Sequence, residues 1–136
     1  MKYTDGKNIM VYAQSADGAP VGAALETVSK AAELAKANGE EVIAVVFGKD
    51  TDTKTVITAG ASKVLVAGEE GLQAEEKAQI LVKLAEKYQP KAVYMAGTPE
   101  GKMIAPAVSA VFESGCVTDV TGITADGVYT TLSYNG

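Results

Sequence analysis

Four apolar runs that are typical of buried β-strands alternate with segments that have the periodicity of amphipathic helices. This alternation limits the possible folds more than any other feature of the chain. The runs cover residues 8–13, 41–47, 63–67 and 92–96. Nearly continuous apolar runs are expected where helices cover both faces of a sheet. Strands and helices in alternation predict parallel pairing with right-handed crossovers. We therefore expect an α/β domain with a doubly wound, mainly parallel sheet.

The segments between and after these runs predict a turn with Asp17 and Gly18 over residues 14–20. They also predict four helices, over residues 21–38, 51–58, 73–88 and 99–114. Asp50 precedes the second helix and is its expected N-cap, because a carboxylate there can accept from free backbone N–H groups. Thr98 and Pro99 predict the start of the fourth helix, with a cap followed by proline at the first helical position. Pro106 lies inside that helix and predicts a kink or a delayed start.

The pattern changes after residue 115. Residues 116–121 predict a fifth strand, and Asp126 with Gly127 predicts a hairpin turn before the alternating residues 128–134. The chain reaches Gly136 with that last strand barely finished, and proteins usually cover a free edge strand. We therefore expect the natural polypeptide to continue past Gly136. The 136 residues suit one domain with a core of its own.

Composition excludes several functions. Seventeen acidic residues against twelve basic ones give a net charge of −5, and no basic stripe indicates a nucleic-acid partner. The chain has no His and only Cys116 as a thiol, which excludes a His-based triad, an imidazole metal site and an internal disulfide. No apolar run approaches the ~20 residues of a membrane span, and the first residues lack a signal-peptide pattern. We expect a cytoplasmic protein without membrane insertion.

The turns that follow the first and fourth strands contain the candidate binding residues. Gln14 and Ser15 follow the first strand, and Gly97 and Thr98 follow the fourth. If these strands are neighbours, the four residues flank the crevice at which open α/β sheets bind ligands. The first turn lacks the Gly-x-Gly-x-x-Gly pattern of dinucleotide sites. A crevice that is empty or filled by a partner is as compatible with these residues as one filled by a nucleotide.

Other motifs have a simpler structural interpretation. The turn over residues 97–103 is one residue too short for a phosphate loop, and Met103 stands where Ser or Thr is needed. Glu100 would already occupy part of the field at that helix N-terminus, so a capping turn is favoured. Asp119 has no second acid at a fixed spacing, and Cys116 fits a small buried residue. We predict no catalytic residue and no metal ligand.

Three stretches together resemble the N-terminal domain of the electron-transfer flavoprotein alpha subunit. They are residues 9–13 with the Ala-rich helix that follows, residues 60–67, and residues 96–106 followed by residues 117–122. The third stretch is similar to the family's turn, with a glycine, a Gly-Arg or Gly-Lys pair and an Ala-Pro, and to its Asp-Val strand. Two positions depart from the family. Ala107 stands where Arg is usual, and only Tyr134 and Gly136 remain of an Arg-Pro-x-Tyr-x-Gly motif.

The resemblance implies a three-layer sandwich of the adenine-nucleotide alpha-hydrolase-like type, with a C-terminal antiparallel hairpin. It also implies a heterodimeric electron carrier whose FAD accepts electrons from acyl-CoA or related dehydrogenases. In this family the FAD-binding domain lies C-terminal to the present one, and the beta subunit holds a structural AMP. Residues 1–136 are then the platform domain, which contacts the beta subunit and the flavin domain. We expect no cofactor-binding residue, no bound cofactor and no enzymatic activity on this chain itself.

The second hypothesis is a stand-alone adenine-nucleotide-binding module of similar architecture that resembles universal stress proteins. The glycine-rich ATP-binding signature of those proteins, expected before the last strand, is missing from this sequence. We therefore rank this hypothesis second. An enzyme in its own right would need a nucleophile or an acid–base pair that the sequence does not offer.

Overall fold

The secondary structure follows the predicted alternation of strands and helices. The structure is a computed structural model, and it describes residues 8–69, 71–90, 92–96, 98–109, 116–117 and 133–134. In chain order the elements are β1 (Ile9–Tyr12), β2 (Ser15–Ala16), β3 (Ala19–Pro20), α1 (Gly22–Ala37), β4 (Val42–Val46), α2 (Thr53–Ala59), β5 (Lys63–Val66), α3 (Ala74–Tyr88), β6 (Ala92–Met95), α4 (Pro99–Ser109), β7 (Cys116–Val117) and β8 (Ser133–Tyr134).

The main sheet has the order β5-β4-β1-β6-β7-β8. All its described pairs are parallel except that between β7 and β8, which is antiparallel. β1 lies between β4 and β6, so that Tyr12 is opposite both Val45 and Met95. The predicted mainly parallel α/β sheet is therefore confirmed. The predicted turn at Asp126 and Gly127, residues 118–121 of the fifth strand and Asp119 lie outside the described residues.

Two helical layers cover the sheet, and alternate residues of each central strand face one layer or the other. One core packs under α3 and α4, and the other packs under α1 and α2. The first contains Met10, Tyr12, Ile43, Val45, Phe47, Leu81, Met95, Ile104 and Val108. The second contains Ile9, Val11, Ala13, Val28, Leu34, Val42, Ala44, Val46 and Val56. Because β1 and β4 have a buried side chain on each face, their sequences read as continuous apolar runs.

A small hairpin that the sequence did not predict as strand follows β1. β2 and β3 pair antiparallel around a turn of two residues, Asp17 and Gly18. Both turn residues have positive φ, 53° and 80°, as the type I′ turn of a tight hairpin requires. The turn itself is the one that the sequence predicts.

The N-cap of α2 is Asp52, so the prediction of Asp50 for this role is wrong. Asp52 Oδ1 accepts from the Thr55 N–H at 3.2 Å, and Oδ2 accepts from the Thr55 hydroxyl at 2.5 Å. The chain makes a turn before it enters the helix, in which the Thr51 N–H donates to the Gly48 carbonyl at 3.0 Å. The Thr55 hydroxyl, followed by the Thr55 N–H, holds the pKa of Asp52 below its ordinary value.

α4 begins at Pro99 and includes position 106, so the delayed start that Pro106 predicted as one outcome is wrong, while the kink stays a prediction. The physical reason lies at the first turn. Thr98 Oγ1 accepts a hydrogen bond from the Gly101 N–H at 3.0 Å, which caps the helix where Thr98 and Pro99 predicted its start.

One border of the described sheet is formed by β5. The Lys63 side chain on this strand is exposed, and its ammonium lies 5.6 Å from the centroid of the Tyr88 ring of α3. Among the residues that the structure describes, the large apolar side chains that are exposed are Ile57, Val66 and Met103.

Candidate functional site

The switch point at which the sequence predicts a crevice lies at the carboxyl ends of β1 and β6. These strands are neighbours, while the chain leaves β1 toward β4 on its other side, so the two ends meet at a topological switch point. Gln14 follows β1, and Thr98 precedes α4. The Thr98 hydroxyl donates to Gln14 Oε1. The sequence therefore identified two residues that do lie in contact at this point.

The other two candidate residues contribute less. Ser15 belongs to β2, and its hydroxyl is buried without a hydrogen-bond partner. Gly97 lies outside the described residues. A binding role for Gln14, Ser15, Gly97 and Thr98 stays a prediction, since their contacts alone do not test it.

Because Gly101 has no side chain, the first turn of α4 can pack directly against the end of β6. A Cβ at this position would lie 2.1 Å from the Ala96 carbonyl oxygen and 3.3 Å from Thr98 Oγ1. No side chain fits at such a distance from a backbone atom. The glycine in the sequence Gly-Lys at residues 101–102 thus has a steric role, which is to let the helix start directly above the strand end.

A cluster of polar side chains, formed by Tyr12, Lys77 and Glu100, lies beside this crevice. The Lys77 ammonium is 2.9 Å from Glu100 Oε1 and 3.4 Å from the Tyr12 hydroxyl. The Tyr12 hydroxyl also donates to Glu100 Oε1. Three elements, β1, α3 and α4, are joined at this one carboxylate oxygen.

Burial makes this ion pair more than a surface contact. The Lys77 side chain is 4% exposed and the Glu100 side chain 28% exposed. Lys77 also lies over the Phe47 ring, with its ammonium 5.5 Å from the centroid, and Phe47 packs edge-on against Tyr12. Burying an ammonium is costly unless it is paired and hydrogen-bonded, and Glu100 and Tyr12 supply those partners.

Sequence reasoning missed this cluster, although one signal was available. Lys77 lies four residues before Leu81 and eight before Ala85, so it falls on the inner stripe of α3 rather than on its outer face. A lysine on an apolar stripe predicts a buried partner. The partners could not be identified from spacing, because Glu100 and Tyr12 are 23 and 65 residues away.

Two further concavities occur in the described part of the chain. The edge cleft, of about 790 Å³, lies at the carboxyl ends of β4 and β5 and is lined by Asp17, Gly18, Gly48, Lys49, Asp50, Thr51, Val66, Ala67, Gly68 and Glu69. The helix groove, of about 570 Å³, lies between α3 and α4 and is lined by Glu75, Ala78, Gln79, Val82, Lys83, Glu86 and Ala107. Three acidic residues and one lysine line the edge cleft, so its charge does not favour the binding of phosphate groups.

The described residues contain no group of three or more His, Cys, Asp or Glu side chains placed to hold a metal ion. Within the same part of the chain, no helix has the length and apolar character that crossing a membrane requires.

The family of this chain follows from a comparison with models of known protein families. Residues 9–136 match the family model described as electron transfer flavoprotein domain. The chain belongs to the electron transfer flavoprotein family. This confirms the resemblance seen in the three sequence stretches.

The relatives include proteins named as alpha subunits of this family. Electron transfer flavoprotein subunit alpha from Clostridium acetobutylicum is 29% identical over 131 residues, which cover 93% of this chain and 39% of that protein. Protein FixB from Clostridium saccharobutylicum is 26% identical over 90% of the chain and 38% of its own length. Subunit LctC of a lactate dehydrogenase (NAD(+),ferredoxin) from Acetobacterium woodii is 29% identical over 85% of the chain and 29% of its own length. The chain thus spans about two-fifths or less of these relatives.

A solved structure supports the fold. A universal stress protein in complex with cAMP superposes with a TM-score of 0.51 at 15% identity, covering 83% of this chain and 96% of that one. At this identity the likeness concerns the fold alone, and it agrees with a parallel sheet between two helical layers.

Proposed function

We propose that this chain is the N-terminal platform domain of an electron-transfer flavoprotein alpha subunit, within a heterodimeric carrier that contains FAD. The carrier accepts electrons from dehydrogenases such as acyl-CoA dehydrogenases and passes them on. The FAD is held by a domain C-terminal to this one, and an AMP is held by the beta subunit. The platform orients the flavin domain and carries out no redox step of its own. The complex acts in the cytoplasm.

The observation that carries this proposal is the family match over residues 9–136, together with relatives that are named as alpha subunits. The relative LctC is named as a subunit of a dehydrogenase, which is consistent with a domain that works next to a redox enzyme. The net charge of −5 argues against nucleic acid as the partner.

The crevice itself supports a role without FAD on this domain. A flavin dinucleotide carries a diphosphate, which needs free donors. The Thr98 hydroxyl already donates to Gln14, and the carboxylate of Glu100 lies in the first turn of α4, where it would repel a phosphate group. The position of Glu100 therefore supports a proposal in which the diphosphate of FAD is bound elsewhere.

The test is co-expression with the beta subunit of the same organism, using both the full gene product and residues 1–136 alone. Light scattering coupled to gel filtration gives the stoichiometry, and the visible flavin spectrum shows where the cofactor is bound. We expect both forms to bind the beta subunit, and only the full gene product to be yellow. Flavin that binds tightly to isolated residues 1–136, or a failure of both forms to associate, would contradict the proposal.

Two variants locate the contact surface. Met103 on α4 and Ile57 on α2 are both exposed and lie in opposite helical layers, so Met103→Asp and Ile57→Asp are matched probes of the two faces. A charge buried in a contact is costly unless it is paired. The variant that weakens association with the beta subunit identifies the layer that makes the contact.

An adenine-nucleotide-binding module is the alternative function. The volume of the edge cleft lies in the range of small-molecule sites, and the similar universal stress protein structure contains cAMP. The three acidic residues in the lining, against one lysine, weaken this alternative. Calorimetry with ATP and AMP tests it, and tight binding to the isolated chain would reverse the ranking.

A further inference from the structure

Asn38 and Gly39 form an Asn-Gly pair at the end of α1, and both residues are exposed. An asparagine loses ammonia most readily before glycine, which has no side chain to hinder attack by its backbone nitrogen. The Gly39 nitrogen gives its proton to a solvent base and bonds to Asn38 Cγ. The Cγ–Nδ2 bond then breaks, and ammonia leaves after it takes up a proton from water. Water opens the resulting succinimide ring to aspartate or isoaspartate.

The helix end around this pair is a Schellman motif with Gly39 in the left-handed position, at a φ of 67°. The Gly39 N–H donates to the Lys36 carbonyl at 3.3 Å. The Glu40 N–H donates to the Ala35 carbonyl at 2.7 Å. The attacking nitrogen is therefore one of the two donors of the motif, and while its hydrogen bond is made its proton is not available to a base.

The conformation of Asn38 keeps the reacting atoms apart. Its ψ is 6°, so the Gly39 nitrogen eclipses the Asn38 backbone nitrogen about the Cα–C bond, and Cβ lies about 120° away. Ring closure needs Cβ and the Gly39 nitrogen on the same side of that bond. The carboxamide instead reaches the preceding turn, where Nδ2 donates to the Leu34 carbonyl at 2.9 Å. Leu34 is 2% exposed, so the core anchors this turn.

We propose that Asn38 is a deamidation site whose rate is set by opening of the α1 C-cap. In the closed cap the nitrogen keeps its proton and Cγ is turned away from it, so the reaction proceeds only in molecules whose cap is open. The product does not restore the cap. An aspartate at position 38 has no donor for the Leu34 carbonyl, and it adds a negative charge at a helix C-terminus, which is unfavourable.

Asn8 ties the segment after this cap to the start of β1. Asn8 Oδ1 accepts from the Glu41 N–H at 2.9 Å, and the Asn8 N–H donates to Glu40 Oε2 at 3.0 Å. Asn8→Gly removes the first of these bonds and places at position 8 a residue that tolerates its φ of 75°. This substitution loosens the cap without changing the Asn-Gly pair or the core.

The experiment follows conversion at position 38 by peptide mapping and mass spectrometry, in the full chain and in a peptide of residues 34–43. The peptide is too short to keep a helix end and gives the unprotected rate. We expect the full chain to convert at least about tenfold more slowly, because an anchored helix end is open only a small fraction of the time. Asn8→Gly is expected to convert about two- to tenfold faster than the unsubstituted chain, as the loss of one hydrogen bond would give. Peptide mapping separates this site from Asn135 and Gly136, the other Asn-Gly pair of the sequence.

Leu81→Ala is the matched control, because it weakens the core under α3 and leaves the α1 cap unchanged. At a temperature at which all variants are folded by circular dichroism, it should convert at the rate of the unsubstituted chain. Equal rates in the folded chain and the peptide would overturn the proposal. An Asn8→Gly rate equal to that of the unsubstituted chain, or an equal acceleration by Leu81→Ala, would also overturn it.

Asn38→Asp reproduces one product of the reaction and tests its consequence. The midpoint of thermal unfolding should fall by about 3–5 °C, because a donor is lost and a charge is added at the helix end. An unchanged midpoint would contradict the role given to the Asn38 side chain in the cap. The inference does not depend on the beta subunit, so its failure would leave the proposed platform role untouched.

Discussion

Gly101 shows how a single residue sets the geometry of the crevice. A Cβ at this position would lie 2.1 Å from the Ala96 carbonyl oxygen, so Gly101→Ala must push α4 away from the end of β6. We expect a loss of about 1–3 kcal/mol in the free energy of unfolding, as in other overpacked sites. Urea titration followed by circular dichroism measures it.

Gly22→Ala is the matched control for that substitution. Gly22 is the first residue of α1, and a Cβ there would have no neighbour within 4 Å. This change is expected to be neutral or to stabilise by about 0.4–1 kcal/mol, because alanine restricts the unfolded chain. An equal loss in both variants would show that steric contact at position 101 is not the cause.

The cap of α2 gives a pH dependence with a defined sign. The Thr55 hydroxyl, followed by the Thr55 N–H, holds the pKa of Asp52 below its ordinary value of 3.8. A lowered folded-state pKa stabilises the protein above the ordinary value, and the contribution is lost as pH falls through the lower folded value. Asp52→Asn should therefore have a lower urea midpoint than the unsubstituted chain at neutral pH. The difference should shrink as the pH falls below 3.8 and through the lower folded-state pKa of Asp52. A difference that does not change with pH would contradict this assignment.

At the residue scale, the sequence predicted contacts that depend on chain order and missed those that depend on three-dimensional approach. Gln14 and Thr98 could be paired because both follow parallel strands that end at one edge. Lys77 and Glu100 could not, because helix packing alone brings them together. Asp52 rather than Asp50 caps α2, since the turn from Gly48 to Thr51 uses two more residues than the pattern suggested.

At the scale of elements, α3 attaches its helical layer to the sheet through a few fully buried side chains. Leu81 is 0% exposed and belongs to the core under α3 and α4. Leu81→Ala is expected to lower the free energy of unfolding by about 2–5 kcal/mol, because apolar burial is lost and a cavity is left behind. The midpoint of thermal unfolding should fall by about 10 °C.

Lys83→Ala, on the exposed face of the same helix, is the control for Leu81→Ala. This substitution changes the helix surface and leaves the core unchanged, so the free energy of unfolding is expected to change by no more than about 0.5 kcal/mol. If both variants lose the same stability, the packing assigned to α3 is wrong.

The helices and long strands could be predicted because their periodicity is set by which faces they bury. The β2–β3 hairpin could not, because strands of two residues contain no period, although the Asp17–Gly18 turn between them was recognised. For α4, the delayed start predicted from Pro106 is wrong because the Thr98 cap fixes the start of the helix at Pro99, well before that proline.

At the scale of the whole molecule, the two cores are expected to unfold together. β1 and β4 place alternate residues in both, as Met10 and Val11 illustrate. Val28→Ala under α1 and Leu81→Ala under α3 should each shift a single transition, with the same midpoint by circular dichroism and by tyrosine fluorescence. Separate midpoints for the two probes would mean that the helical layers unfold independently.

The strand order was not evident from the pattern alone, because alternating strands and helices are compatible with more than one winding. The sequence does allow one prediction: if β1 has neighbours on both sides to which the chain crosses in opposite directions, a crevice is expected between the ends of β1 and β6. The cluster of Tyr12, Lys77 and Glu100 beside that crevice could not be predicted, because its contacts depend on the packing of α3 and α4 against β1.

Lys63 has a consequence for contacts between free copies of the chain. Its ammonium stands on the border strand β5 and leans over the Tyr88 ring. Another strand that added itself to this border would have to cover that charge, and natural sheets use edge lysines to discourage such pairing. At high concentration the chain is therefore less prone to grow into a continuous intermolecular sheet through β5.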